Sequence, residues 1–276
     1  VTLPEVFAGM YRFFNDNQAP TTTDIAPEEP VTLAGKVLTF GTNQPIVGAV
    51  VEVHALDAAT GERLGTTPPA RFSVGEDGTW GPFQADPSAY YEFTVLEEGE
   101  RSFHYYRQPF SRSNPLVYLR TMPESNPMLD LVLGNIRYGD ESTNIVFFSS
   151  NQALYYGRDT ATLDGMDLAT PEMAPPPPDR TSTIAIFIFD ADGDGQTDGG
   201  PIPIEMSGLS FLPRRDDAAT GGQDPSQATE FPFLRHYDAF VDASTRRTAT
   251  LTLNGATLHI PTWKAASEGV VIAVFD

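Results

Sequence analysis

The run Asp190-Ala-Asp192-Gly-Asp194-Gly195-Gln196-Thr-Asp198 sets carboxylates at positions 1, 3, 5 and 9 of a short loop, with glycine at 6 and the Gln196 carbonyl at 7. That is the first part of an EF-hand-like loop. The alternation throws successive oxygens inward, and Gly195 permits the sharp turn. Four crowded carboxylates repel one another unless a cation lies between them. Calcium takes six to eight hard oxygens and suits this ligand count better than magnesium. The spacing therefore predicts a structural Ca2+ site at Asp190, Asp192, Asp194, Gln196 and Asp198, clamping a loop and offsetting local repulsion. Two features depart from the EF-hand. Position 12 is Pro201 instead of a bidentate Glu, and the loop follows a strand, Thr183–Phe189, instead of a helix. Glu205 can supply a late carboxylate if the chain folds back. The competing reading is a solvated acidic turn.

Other chemistry is thinly supported. His54, His104, His236 and His259 are dispersed, with no i, i+4 or His-x-His spacing, and read as packed strand or loop residues, not zinc ligands. The acid pairs Glu97–Glu98 and Asp216–Asp217 sit in turns, whereas glycosidase carboxylates come from different elements. The stretch Phe103-His104-Tyr105-Tyr106, flanked by Arg101, Arg107 and Arg112, alternates as a strand does, with Phe103 and Tyr105 on one side. It reads as core plus a half-exposed face, and a binding face is the alternative. The same holds for Phe231, Phe233, Tyr237 and Phe240. There is no cysteine, so disulfides, thiolate zinc and cysteine nucleophiles are excluded.

The whole chain bounds the partners. Acidic residues number 37 against 17 basic ones, a formal charge of −20 over 276 residues. That field repels phosphate backbones and anionic lipid, so nucleic acid is not expected as a partner. No apolar run reaches the roughly 18 residues of a membrane helix, so no transmembrane segment is expected. Hydrophobic residues make up 40%, as in soluble globular protein. Length allows two cores. No signal peptide is visible, and Val1 in place of Met reads as an internal or processed start.

The elements that must position the loop are strands. Residues 2–14 predict the single short amphipathic helix: Thr2 and Glu5 have capping-box spacing, Pro4 fits a first turn, and Val6, Phe7, Met10, Tyr11, Phe13 and Phe14 form a broad apolar face. So short a helix needs a partner for that face. With its Asn15-Asp16-Asn17 stop it occupies 1–17, and a Pro-rich linker follows over 18–30. Strand patterns over 33–40, 49–55, 90–96, 102–106 and 116–119 make a first β-sandwich, 31–122. A second, jelly-roll-like sandwich covers 123–276, with strands over 128–133, 144–148, 153–156, 181–190, 246–253, 257–260 and 270–275. Asn254-Gly255 between alternating runs is the strongest hairpin signal. Two long loops, 160–180 with Pro175–Pro178 and 213–227, interrupt this block. The fold class is all-β, two sandwiches in tandem after one helix.

Ala34-Gly-Lys-Val37, Pro45-Ile-Val-Gly48-Ala-Val-Val-Glu-Val53 and Glu76-Asp-Gly-Thr-Trp80-Gly resemble the carboxypeptidase-regulatory, transthyretin-like sandwich. A wider likeness rests on Pro4-Glu-Val-Phe-Ala-Gly-Met-Tyr-Arg-Phe-Phe14, the valine-rich sandwich, and Phe103-His-Tyr-Tyr-Arg-Gln-Pro-Phe-Ser-Arg-Ser113. Together they resemble the C-terminal region of bacterial secreted triacylglycerol lipases of the α/β-hydrolase class. The likeness implies that the helix is the last of a hydrolase domain and packs on it. It implies a parent serine lipase or carboxylester hydrolase, secreted or at the cell surface. The Gly-x-Ser-x-Gly elbow of that class is absent, and Ser210 in Gly208-Leu-Ser-Phe-Leu212 lacks the second glycine. No catalytic residue is carried over, and the chain itself is expected to be non-catalytic.

The expected role is an accessory region that stabilises or orients the hydrolase. Its partners would be the upstream hydrolase domain or its cleaved fragment, a lipid or polymer surface, or a second copy of itself. The alternatives are a calcium-stapled surface or adhesive module that self-assembles, and a carbohydrate-binding module. Large interfaces between copies would favour the first of these, and an exposed aromatic platform beside the loop the second.

Overall fold

The computed structural model describes residues 4–24, 26–122, 136–176, 183–202 and 233–276. In chain order these form α1 (Pro4–Phe14), β1 (Val31–Thr39), β2 (Val50–Leu56), β3 (Ala70–Ser73), β4 (Thr79–Ala85), β5 (Tyr90–Leu96), β6 (Phe103–Arg107), β7 (Asn114–Thr121), β8 (Ile145–Ser149), β9 (Ala161–Leu163), β10 (Met166–Asp167), β11 (Ala185–Phe189), β12 (Pro201–Ile202), β13 (Leu234–Asp238), β14 (Thr248–Leu253), β15 (Ala256–Pro261) and β16 (Val270–Phe275). The protein is all-β with one short helix, as its patterning requires.

The strands make three layers. A nine-stranded sheet runs β12-β13-β11-β8-β16-β6-β5-β2-β3, with a three-stranded sheet β4-β1-β7 on one face and a four-stranded sheet β10-β9-β14-β15 on the other. Alternation along the central strands feeds both cores. Val270, Ile272 and Val274 of β16 join the first core, and Val271, Ala273 and Phe275 join the second. Phe187 and Phe189 of β11 face the first, Ile186 and Ile188 the second. A strand buried on both faces reads as an unbroken apolar run, which is what these two segments are.

Two cores were expected and two are present, but they lie on opposite faces of one sheet. That sheet crosses the 122/123 division. β6 of the first half pairs in parallel with β16 of the second, from Phe103↔Val270 to Arg107↔Val274. No short-range signal specifies a parallel pair between strands so far apart in sequence.

Most strand assignments hold within two residues or so. Two segments are exceptions: 153–156 carries an isolated bridge from Leu154 to Thr183 in place of a strand, and the strand expected over 181–190 is the shorter β11. β13, Leu-Arg-His-Tyr-Asp, was not anticipated because its polar sequence hides a strand buried throughout. The proposed strand 128–133, the whole of the 213–227 loop, Ser210 and Phe231 lie outside the described residues. The Asn254-Gly255 turn joins β14 to β15, with φ of 50° and 88°, the left-handed pair a two-residue hairpin needs.

The helix α1 buries no residue. Phe13 and Phe14 are 81% and 75% exposed. The linker is anchored at its far end. The Glu28 carboxylate accepts from the Ser113 amide and an Arg112 guanidinium N–H at 2.8 and 2.7 Å.

Candidate functional site

The acidic loop is built by the parallel pair β11 and β13. Their register sets Phe189 opposite Asp238, so both chains leave the sheet at the same end. The loop begins there with Asp190 and closes at β12, which returns antiparallel against β13. Its exit is fastened by the Gly199 amide donating to the Asp238 carbonyl at 3.1 Å, and by the Phe240 amide donating to Thr197 Oγ1 at 3.0 Å.

Within the loop, one carboxylate oxygen from each of Asp190, Asp192 and Asp194 lies within 4.8 Å of the others. Asp190 is buried and accepts from the amides of Gly193 and Gly195 at 2.9 and 3.2 Å. Gly195 has φ of 76°, the left-handed geometry assigned to it from the spacing. Asp192 and Asp194 are exposed, and each accepts the amide two residues on. The Gln196 side chain turns back to donate to Asp194 Oδ2 at 3.0 Å. Asp198 is outside the three-residue cluster. Glu205 and the Asp216–Asp217 pair lie outside the described residues.

Two residues at this site escaped the sequence reading. Asp238 comes from β13 and accepts from the Ala191 amide at 3.0 Å. Burial pushes its carboxyl up, that amide pulls it down, and the charges of Asp192, Asp190 and Asp198 push it up again; the net direction is upward. The other is Arg137, whose guanidinium lies against Gly193: a β-carbon there would come within 2.7 Å of Nη1. Neither lies near the loop in sequence, so spacing carries no signal for them.

A second polar cluster is of the opposite kind. Glu92 of β5 is fully buried and accepts from Arg63 Nε and Nη2, both at 2.7 Å, and from Thr94 Oγ1 at 2.8 Å. His104 Nδ1 lies 2.6 Å from the same carboxylate, and its Nε2 lies 2.8 Å from the Glu268 carbonyl. The imidazole stacks on Trp263 at 3.9 Å, and the Trp263 indole N–H donates to the Tyr106 hydroxyl at 2.9 Å. Arg246 and Arg63 stand over the Trp263 ring at 4.0 and 4.9 Å. Burial alone pushes the Glu92 carboxyl up, but hydrogen bonds from Arg63 and His104 and their charges outweigh it and hold it well below the usual range. The network joins β5 and β6 to the segment before β16. It ties the two halves of the chain together, with the Glu92 carboxylate itself shut off from solvent.

The remaining histidines are packed, as their dispersal implied. His54 sits in β2 beside Glu52, and His236 lies between Phe187 and Phe189 with its pKa pushed down to about 4 by burial. His259 lies 3.4 Å from Thr250 Oγ1. Among the described residues no histidine is hydrogen-bonded to a serine. Phe103, His104, Tyr105 and Tyr106 are all buried, so that strand presents core on both faces.

Comparison with known proteins bears on the first core. Residues 29–123 match the family model described as the lipase C-terminal domain. The likeness to the C-terminal region of lipases, drawn from the helix and the valine-rich strands, stands over that segment, about a third of the chain. The match covers β1 to β7, hence the three-stranded layer and the β2, β3, β5 and β6 half of the central sheet. No curated protein matches the chain. Among solved structures, the minor pilin GBS52 of Streptococcus agalactiae is similar at 9% identity and a TM-score of 0.20, over 89% of this chain and 94% of that one. A likeness at that score carries no argument about fold or function. Among the described residues, no helix is long and apolar enough to cross a membrane.

Proposed function

We propose that this chain is the non-catalytic accessory region of a secreted lipase or related esterase, standing beside a hydrolase domain and stapled by a structural calcium ion. The family match over 29–123 carries the reading. The helix α1 supports it. Six large apolar side chains, Val6, Phe7, Met10, Tyr11, Phe13 and Phe14, face solvent on a helix that buries nothing in this chain. Such a face is stable when another surface covers it, and the last helix of a hydrolase domain has that surface on its own sheet. The transthyretin-like character of the first sandwich belongs to the same proposal. It is supported by Trp80, buried between Phe72 and Phe93 after the Asp77-Gly78 turn.

For calcium, the support is that one carboxylate oxygen from each of Asp190, Asp192 and Asp194 lies within 4.8 Å of the others. Asp190, Asp192, Asp194, the Gln196 carbonyl and Asp198 would hold the ion. The hard oxygen donors suit it. Its role is structural: it would fix the loop between β11 and β12 against β13.

Assay of the purified chain on a soluble ester tests the non-catalytic part. The expected result is background turnover; hydrolysis abolished by a serine-directed inhibitor would overturn it. Hydrogen exchange tests the partner. Amides of residues 4–14 should exchange fast in this chain alone and slowly when a hydrolase domain precedes it. Fast exchange in both would remove the packing role.

A further inference from the structure

A cleft of about 370 Å³ opens between β7 and the central sheet. It exists because the layers differ in width: β7 is the edge of a three-stranded sheet laid on a nine-stranded one. The floor is one face of the central sheet, where alternation aligns Val146, Phe187, Ile272 and Val274. Leu116 and Tyr118 of β7 form the wall. The wall is pinned to the floor by Tyr105, whose hydroxyl donates to the Arg120 carbonyl and accepts from the Arg120 amide, both at 2.5 Å. The cleft is thus preformed, mostly apolar and within the usual size of a small-molecule site.

Its charged groups are few and unequal. Arg107, Arg120 and Asp276 line it. The Arg107 guanidinium is held by the Asp276 carboxylate, with contacts of 2.6 Å from Nη2. Arg120 donates from Nε to the neutral Asn43 Oδ1 at 3.2 Å and stands 5.5 Å from the Tyr118 ring. Among the described residues no carboxylate pairs with it. A guanidinium without an acid partner at an apolar cleft suits a ligand with an anionic head and an apolar body, the local contact working against the long-range repulsion of a chain of net charge −20.

We infer that this cleft binds a long-chain carboxylate, the alkyl tail lying on the sheet face between β7 and β16 and the carboxylate meeting Arg120. The inference stands apart from the accessory reading, since the cleft belongs to this chain whatever precedes it.

Laurate below its micelle-forming concentration, titrated into the full chain by calorimetry, is the test, with dodecanol as the neutral probe of equal tail length. The unmodified chain should take up laurate saturably, one per chain, and more tightly than dodecanol. R120E should weaken laurate tenfold or more, the worth of a charge-assisted contact turned repulsive. It should weaken dodecanol far less than laurate, and R120Q, which removes the charge without reversing it, should keep that order. Leu116 is 63% exposed, so Leu116→Asp is expected to fold normally and should weaken both probes. Absence of saturable laurate uptake by the unmodified chain overturns the site. Equal binding of laurate by R120E, or no preference for laurate over dodecanol, overturns the assignment of Arg120.

Discussion

Glu92 and the Asp190 loop are two solutions to the same problem, a carboxylate set into a sheet. Glu92 is fully buried and has two guanidinium contacts, a hydroxyl and an imidazole around it. The loop brings three carboxylates within 4.8 Å and offers them mainly backbone amides, with Arg137 beside Gly193. The first arrangement is complete in protein atoms. The second leaves Asp192 and Asp194 exposed, and the calcium proposal rests on that difference. The lesson is that a count of acids says little; the partners each acid already has decide whether it is structural glue or a ligand set.

The contrast can be broken at its stronger side first. Glu92→Ala leaves the partly exposed Arg63 and the buried His104 without their shared partner, and denaturant unfolding should show a loss of about 1–3 kcal/mol. A loss under 1 kcal/mol would mean that water replaces the carboxylate. Next comes calcium. With free calcium at a hundred times its dissociation constant, the chelated chain should gain about 2.7 kcal/mol, read as a raised thermal midpoint. Asp192→Asn should remove most of that gain while leaving the chelated midpoint level or higher, because it relieves repulsion.

The two regions also differ in the sign of their pH dependence. The folded Glu92 carboxyl lies below its unfolded value, so its contribution is present above about pH 4.3 and is lost as pH falls through the folded value. Asp238 is shifted upward, so the folded state holds its proton longer. Without calcium, stability from this group declines as pH rises from about 3.9 through its raised value. Glu92→Gln should flatten the acid limb of the stability profile, and Asp238→Asn should flatten the decline on the other side. The smallest effect belongs to α1: Phe14→Ser should change the stability of this chain by less than about 0.5 kcal/mol, because the ring is 75% exposed. A larger loss would mean that the helix face is packed within this chain.

Local features were legible in the sequence. The unbroken apolar runs 184–189 and 270–275 marked strands, Asn254-Gly255 marked the hairpin, and the alternating aspartates marked a loop. Relations across the chain were not. Parallel pairing of β6 with β16 merges the two expected sandwiches into three layers around one sheet. Asp238 and Arg137 reach the loop from 40 or more residues away, and β13 conceals itself behind Arg235, His236 and Asp238, polar residues whose burial only packing can reveal. Glu92 reads as one acid in an aromatic-rich strand until Arg63 and His104 are set around it.

Calcium titration of the chelated chain, followed by calorimetry and by the thermal midpoint together, tests the central contrast most directly. One ion bound per chain, with a raised midpoint that Asp192→Asn abolishes and Glu92→Gln preserves, is the predicted result. No heat of binding and an unmoved midpoint at low ionic strength would contradict it, and would make the Asp190 loop a solvated turn.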